Sequence, residues 1–174
     1  MCQKGLVHIY TGEGKGKTTA AIGLCVRMAG AGGKTLFLQF MKGAQSSEIS
    51  ALRRLGVEVH HGSSNGKFLW EMTETEKAAF QKEQERLLAE AETYAAGDFA
   101  MVVLDEAISA VSAGLLREEA LLDLLKKKAG ETEIVITGRG ASSHLMEHAD
   151  YVSVIEMKKH PFEHGTKARK GIEF

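Results

Sequence analysis

Leu6-Val7-His8-Ile9-Tyr10-Thr11-Gly12-Glu13-Gly14-Lys15-Gly16-Lys17-Thr18-Thr19-Ala20-Ala21 passes from an apolar run through a glycine-rich turn into a helix-forming segment. That context predicts a phosphate-binding loop. Glycines let backbone N–H groups converge on an anion, and a helix N-terminus adds unpaired donors and a positive dipole end. Lys17 is placed to reach phosphate oxygens as a point charge, and Thr18 offers a hydroxyl to a divalent cation. The expected ligand is the triphosphate of a nucleotide, held between Gly12 and Thr19. The spacing departs from the usual phosphate loop at one place. Thr11 stands where glycine is customary, so the loop is read as one residue tighter than the common form.

Outward from this segment, apolar runs at Leu6–Tyr10, Thr35–Phe40, Val57–His60, Met101–Leu104, Glu133–Thr137 and Tyr151–Ile155 predict six strands. Most are continuous in polarity, as strands buried on both faces are. Helical patterns fall between them, at about Lys17–Gly30, Glu48–Leu55, Thr75–Ala96, Glu118–Lys128 and Ser142–His148. Thr73 and Glu76 have capping-box spacing before the longest of these, and Gly97 follows its end. Alternating strands and helices predict an α/β domain, a mostly parallel sheet of about six strands with helices on both faces. The site is then expected beyond the carboxyl ends of the strands, near the loops Thr11–Gly16, His61–Met72 and Gly138–Ser143.

The chain has 174 residues, a length that favours a single domain spanning residues 1–174, with residues 158–174 as an irregular tail. An apolar fraction of 44% and a charged fraction of 26% fit a soluble globular protein. A formal net charge of −1 calls for neither nucleic acid nor a membrane surface. With no signal peptide or membrane-spanning run, the cytoplasm is the expected compartment. Cys2 and Cys25 lack metal-site spacing, and Cys25 reads as a small buried hydrophobe. His60, His61, His160 and His164 lack a coherent set of further ligands and read as surface or loop residues.

A second acidic signal follows the run Ala100-Met101-Val102-Val103-Leu104, which ends in Asp105-Glu106. A carboxylate at the end of a neighbouring strand can hold Mg²⁺ opposite the loop threonine. Capping of a following helix is the competing role. Which of the two acids meets the metal is left open.

These segments together resemble the cob(I)alamin adenosyltransferases of the CobA/BtuR type, the ATP:corrinoid adenosyltransferases. The resemblance is carried by His8 through Ala21, Gln39-Phe40-Met41-Lys42-Gly43 and Val103-Leu104-Asp105-Glu106. It continues in Ile136-Thr137-Gly138-Arg139-Gly140, Ala149-Asp150-Tyr151-Val152, Lys159-His160-Pro161-Phe162 and Gly171-Ile172-Glu173-Phe174. The shortened phosphate loop is itself a mark of that family. The resemblance implies a RecA-like P-loop fold, a homodimer, and transfer of the 5′-deoxyadenosyl group of ATP to the cobalt(I) of a corrinoid with release of triphosphate. Cobalamin, cobinamide and cobyrinic acid a,c-diamide are the substrates it implies, and a flavoprotein or reduced flavin the electron donor. The loop is expected to hold ATP in the reverse sense from an ordinary NTPase, with C5′ facing the corrinoid.

Carried onto this chain, the resemblance implies nucleotide binding by Gly12, Glu13, Gly14, Lys15, Gly16, Lys17, Thr18, Thr19, Arg27 and Arg139. Lys17, Thr18 and Glu106 are the expected catalytic set, with Mg²⁺ or Mn²⁺ on Thr18, Glu106 and Asp105. Phe68 and Trp70 match aromatic residues that wedge against the lower face of the corrinoid, keep an axial ligand off cobalt and ease its reduction. Their competing role is to anchor a long loop to the core. For Arg27 and Arg139 the competing role is a salt bridge. Gln39 and Lys42 are expected to help line the site. Glu13 stands where the family often has Asn or Asp. Some relatives carry an N-terminal helix over the corrinoid, for which this sequence shows no residues. A conventional P-loop ATPase or kinase, and a RecA-like nucleic-acid-binding module, remain as alternatives. The second would want a basic and aromatic stripe.

Overall fold

Six parallel strands form one sheet in the order β3-β2-β4-β5-β1-β6 in the computed structural model, which describes residues 4–41, 47–62 and 67–172. The strands are β1 (Val7–Thr11), β2 (Thr35–Gln39), β3 (Glu58–His61), β4 (Met101–Asp105), β5 (Glu133–Thr137) and β6 (Tyr151–Val154). The helices are α1 (Lys17–Gly30), α2 (Ser47–Arg54), α3 (Glu74–Ala95), α4 (Ala107–Ser112), α5 (Glu118–Lys127) and α6 (Ser143–Glu147). Short 3₁₀ turns occupy Leu69–Glu71 and Pro161–His164, the second inside the expected irregular tail. The α/β class and the parallel sheet agree with the sequence.

Successive side chains of a strand point to opposite faces. Leu36, Leu38, Val102, Leu104, Ile134 and Ile136 therefore share one face, packed with Leu87 of α3 and Leu121 and Leu124 of α5. Phe37, Met101, Val103 and Val135 share the other, against Ala21 and Cys25 of α1 and Ile49 and Leu52 of α2. Burial pushes the Cys25 thiol up to about 12, as suits a core residue. The longest helix starts at the expected capping box, Thr73 accepting from Glu76 N and Glu76 from Thr73 N.

Three elements differ from expectation. α4 is too short to print a helical period on the sequence, and it starts immediately after the acidic pair. Strand β6 is as apolar as expected, yet Tyr151, Val152 and Val154 are all exposed. It lies at the sheet edge, paired only with β1. Strand β1 also runs one residue further than expected, because Thr11 pairs with Val154 and its carbonyl accepts from Ile155 N at 2.8 Å. Among the described residues no helix is long and apolar enough to cross a membrane.

Candidate functional site

The loop from Gly12 to Gly16 leaves β1 and enters α1 at the carboxyl edge of the sheet. Its tightness follows from Thr11, buried at the end of the strand instead of opening the loop. Gly12 has a φ of 100°, and a Cβ there would come within 2.5 Å of the Ile155 carbonyl oxygen. Gly14 N donates to that same carbonyl at 2.7 Å. The loop is thus zipped to the strand exit beside it, and a side chain at Gly12 would prise the two apart. Lys17 is 6% exposed and arches over the loop, its Nζ donating to the carbonyls of Gly12 and Gly14, each at 2.8 Å. Burial pulls its ammonium below the ordinary lysine value, while the Glu106 carboxylate pushes the other way. A lysine so held is partly desolvated and fixed over the loop it enters.

Asp105 ends β4 fully buried. Its Oδ1 accepts from the hydroxyls of Thr18 and Thr137, each at 2.8 Å, and its Oδ2 from Gln39 Nε2 at 3.3 Å. The acidic strand is not the immediate neighbour of the loop strand, as the sequence reading had it. β5 lies between β1 and β4. Thr137, at the end of β5, bridges the gap and also accepts from Glu106 N at 2.9 Å. Glu106 takes a left-handed backbone, φ 62°, an unusual conformation for a residue with a side chain. That turn starts α4 and separates the two acids. Asp105 faces inward to Thr18, whereas Glu106 lines an open cavity of about 1270 Å³.

That cavity gathers Glu13, Lys15, Lys17, Thr18 and Thr19 with Glu106 and Arg139. Arg139 Nε lies 3.4 Å from a Glu13 carboxylate oxygen across its mouth. Ser109 and Ser112 of α4 and His160 and Ile172 of the tail also line it. Sequence reasoning missed these four. The serines carry no motif, although their spacing of three after Glu106 would have put them on one helical face. The tail gives no local signal that it folds back. Arg27 lies in the last turn of α1, about 15 Å along the helix from Lys17 at the standard rise, and does not line the cavity. Lys42, Gly43, Gly66, Glu173 and Phe174 lie outside the described residues.

The oxygens here suit a hard divalent cation. A threonine hydroxyl already pairs with a buried carboxylate, and a second carboxylate opens to the cavity. The Gln39 Oε1 beside Asp105 is buried without a hydrogen-bond partner. Among the described residues no three His, Cys, Asp or Glu side chains cluster as an all-protein metal cage, so the remaining ligands would have to be phosphate and water.

Phe68 and Trp70 do not line this cavity. Phe68 caps the 3₁₀ turn at Leu69–Glu71 and Trp70 lies within it; they are 60% and 78% exposed, their rings stacked 4.4 Å apart and 5° from parallel. Leu69 packs against the core and Met72 is buried in it, so those two residues anchor the segment. The anchoring role considered for Phe68 and Trp70 is therefore not theirs. Glu71 fixes the turn by accepting from Phe68 N at 2.8 Å, and Lys67 pairs with Glu76 at the head of α3.

Comparison with known proteins bears on this geometry. The family model described as ATP:corrinoid adenosyltransferase BtuR/CobO/CobP matches residues 3–174. A corrinoid adenosyltransferase of Pseudomonas aeruginosa is 35% identical over 99% of this chain and 85% of its own length. Proteins of that name from Escherichia coli K12 and, as corrinoid adenosyltransferase CobA, from Salmonella typhimurium are each 34% identical over 99% of the chain and 87% of theirs.

Proposed function

The chain belongs to the ATP:corrinoid adenosyltransferase family BtuR/CobO/CobP, and from that premise we propose that it transfers the 5′-deoxyadenosyl group of ATP to the cobalt(I) of a corrinoid. The observation that carries the reading is that Lys17, Thr18 and Glu106 line one cavity far larger than three phosphates need, with Thr18 held from behind by the buried Asp105. The triphosphate lies on Gly12–Thr19, and the remaining volume admits the nucleoside.

In the reaction the cobalt(I) electron pair attacks C5′. The C5′–O5′ bond breaks, its electron pair leaves with the triphosphate, and cobalt rises formally to cobalt(III). Cobalt(I) is itself a strong nucleophile, so the protein supplies alignment and leaving-group stabilisation. Alignment of two bound reactants lowers a barrier by up to roughly 7–11 kcal/mol. Lys17, Lys15 and the loop amides neutralise charge that grows on the departing oxygen. Thr18, Glu106 and Asp105 would hold Mg²⁺ or Mn²⁺, which when bound adds positive charge against the phosphates. Arg139 answers phosphate or ribose from the opposite wall.

Phe68 and Trp70 present a flat aromatic surface suited to the underside of a corrinoid. Their exposure supports a role toward a ligand outside this chain's own core. The same reading includes a cytoplasmic homodimer of single-domain subunits and a flavoprotein or reduced flavin as electron donor.

The deciding experiment incubates the protein with ATP, Mg²⁺ and chemically reduced cobinamide. A cobalt–carbon bond in the corrinoid spectrum and one inorganic triphosphate per turnover are expected. ADP without a cobalt–carbon bond would overturn the proposal in favour of an ordinary P-loop ATPase or kinase.

A further inference from the structure

The Gly138-Arg139-Gly140 turn after β5 lies directly on α4, and its fit is tight at both glycines. Gly138 has a φ of 146°, and a Cβ there would meet Ser109 N at 2.5 Å. Gly140 has a φ of 77°, and a Cβ would meet Ser112 Oγ at 2.6 Å. Between them the arginine backbone is held on both sides. Arg139 N donates to Ser109 Oγ at 3.0 Å. Ser112 Oγ has one proton for three carbonyls, with Arg139 O nearest at 2.8 Å, ahead of Ile108 O of its own helix at 3.1 Å and Gly140 O at 3.3 Å. The Ser109 hydroxyl has one proton, and it goes to Glu106 Oε2 at 2.5 Å. One hydroxyl therefore joins the carboxylate that opens to the cavity with the backbone of the arginine on the same wall.

We propose that Ser109 and Ser112 are positioning residues, a two-hydroxyl clamp through which α4 sets Arg139 and Glu106 as one unit toward the triphosphate. The inference rests on the nucleotide reading of the cavity. It explains why arginine sits between two glycines, because a Cβ at either neighbour would lift the turn off the helix. It also gives the short helix after the acidic pair a task besides packing. Glu13, on the loop, faces the Arg139 guanidinium across the cavity. With the backbone fixed by the clamp, the side chain needs only to swing from that carboxylate to a phosphate.

The test is a set of titrations of inorganic triphosphate and of MgATP into the full chain and its variants. Arg139→Ala is expected to weaken triphosphate binding by about tenfold, the size of one hydrogen bond to a charged group. Ser109→Ala is expected to lose about three- to tenfold. With metal-free triphosphate, which Glu106 has no cation to reach through, the double variant Ser109→Ala/Arg139→Ala should bind no more weakly than Arg139→Ala alone, since the serine then has no anion-binding group left to position. Ser109→Thr, which keeps the hydroxyl, should restore affinity. Fully additive losses, an unaffected Ser109→Ala, or an unaffected Arg139→Ala would each overturn the clamp. Should Ser109→Ala fail to fold, Ser112→Ala, at an exposed position, replaces it in the same cycle with the same expected non-additivity. Lys17→Ala is the separate arm. If it still binds triphosphate normally, the reading of the loop fails. If it loses binding while Ser109→Ala does not, only the clamp fails.

Discussion

The phosphate loop and the Phe68–Trp70 turn are both assigned to substrates, but they differ in how complete they are without one. Around the loop, Thr18, Thr137 and Gln39 are hydrogen-bonded to Asp105, Lys17 is bonded to the Gly12 and Gly14 carbonyls, and Lys17 and Asp105 are buried. The aromatic turn has a fixed backbone and two exposed rings stacked on each other. Preorganised polar groups act without reorganising when charge develops. Exposed aromatic surface gains only when something covers it. On the proposed assignment, the difference teaches that the triphosphate half works by electrostatics and the corrinoid half by contact with a large flat body.

The largest expected effect breaks the first half. Lys17→Ala should lower turnover by about 10²–10³-fold, the scale of removing one preorganised donor from a developing anion. The fold should survive, because Lys17 bonds only loop carbonyls. Steady-state rates with cobalt(I) cobinamide, beside circular dichroism, check this. Near-normal turnover would leave the loop a structural turn.

Next comes Asp105. Asp105→Ala strands the donors of Thr18, Thr137 and Gln39 in a buried site. Leaving buried donors unsatisfied costs about 1–3 kcal/mol, a drop that denaturant melts will register. Asp105→Asn should keep most of that stability, since the Gln39 carboxamide can turn its unpartnered Oε1 to the new amide. It should still raise the Mg²⁺ concentration needed for turnover. Equal stability of the wild type and Asp105→Ala would mean that the network does not hold the site together.

What the sequence revealed follows the same division. Strand–loop–helix signals are local, so β1, the loop and α1 were readable from consecutive residues. The roles of Thr137 and Gln39 were not, because strand order brings them to Asp105 and no local pattern encodes strand order. α4 escaped because six residues are too few to show a helical period. β6 was recognised as a strand, yet its apolar run does not distinguish a buried strand from the exposed edge it forms. For Phe68 and Trp70 the residues alone left anchor and wedge open. Only the burial of Met72 and the packing of Leu69 against the core, with both rings left exposed, remove the first.

The aromatic half should respond more mildly and in a different observable. Phe68→Ala and Trp70→Ala are expected to lower the rate about tenfold when cobalt must first be reduced from cobalt(II), with ATP affinity unchanged. Stability should move by less than about 0.5 kcal/mol, as for surface positions generally. A buried side chain such as Leu104 should instead cost about 2–5 kcal/mol on truncation to alanine. Equal losses with preformed cobalt(I) would remove the wedge role and the distinction between the halves.

The smallest effect concerns protons, and it separates the halves by charge. In the empty site burial holds the Lys17 ammonium below its ordinary range. A triphosphate beside it favours the charged form and raises that value again. Between the two values, binding must take up a proton on Lys17, and affinity must fall as pH rises through the empty-site value. The same depression has a sign for the empty protein. Between that lowered value and the ordinary lysine value the unfolded chain binds more protons at Lys17, so this contribution to stability grows with rising pH. Calorimetric titrations of triphosphate in two alkaline buffers of different ionisation enthalpy measure the uptake directly. It should disappear in Lys17→Ala and persist unchanged in Trp70→Ala, because neither aromatic ring carries a titrating group near the loop. Uptake that survives Lys17→Ala would place the proton on another group and remove the lysine's special standing in the loop.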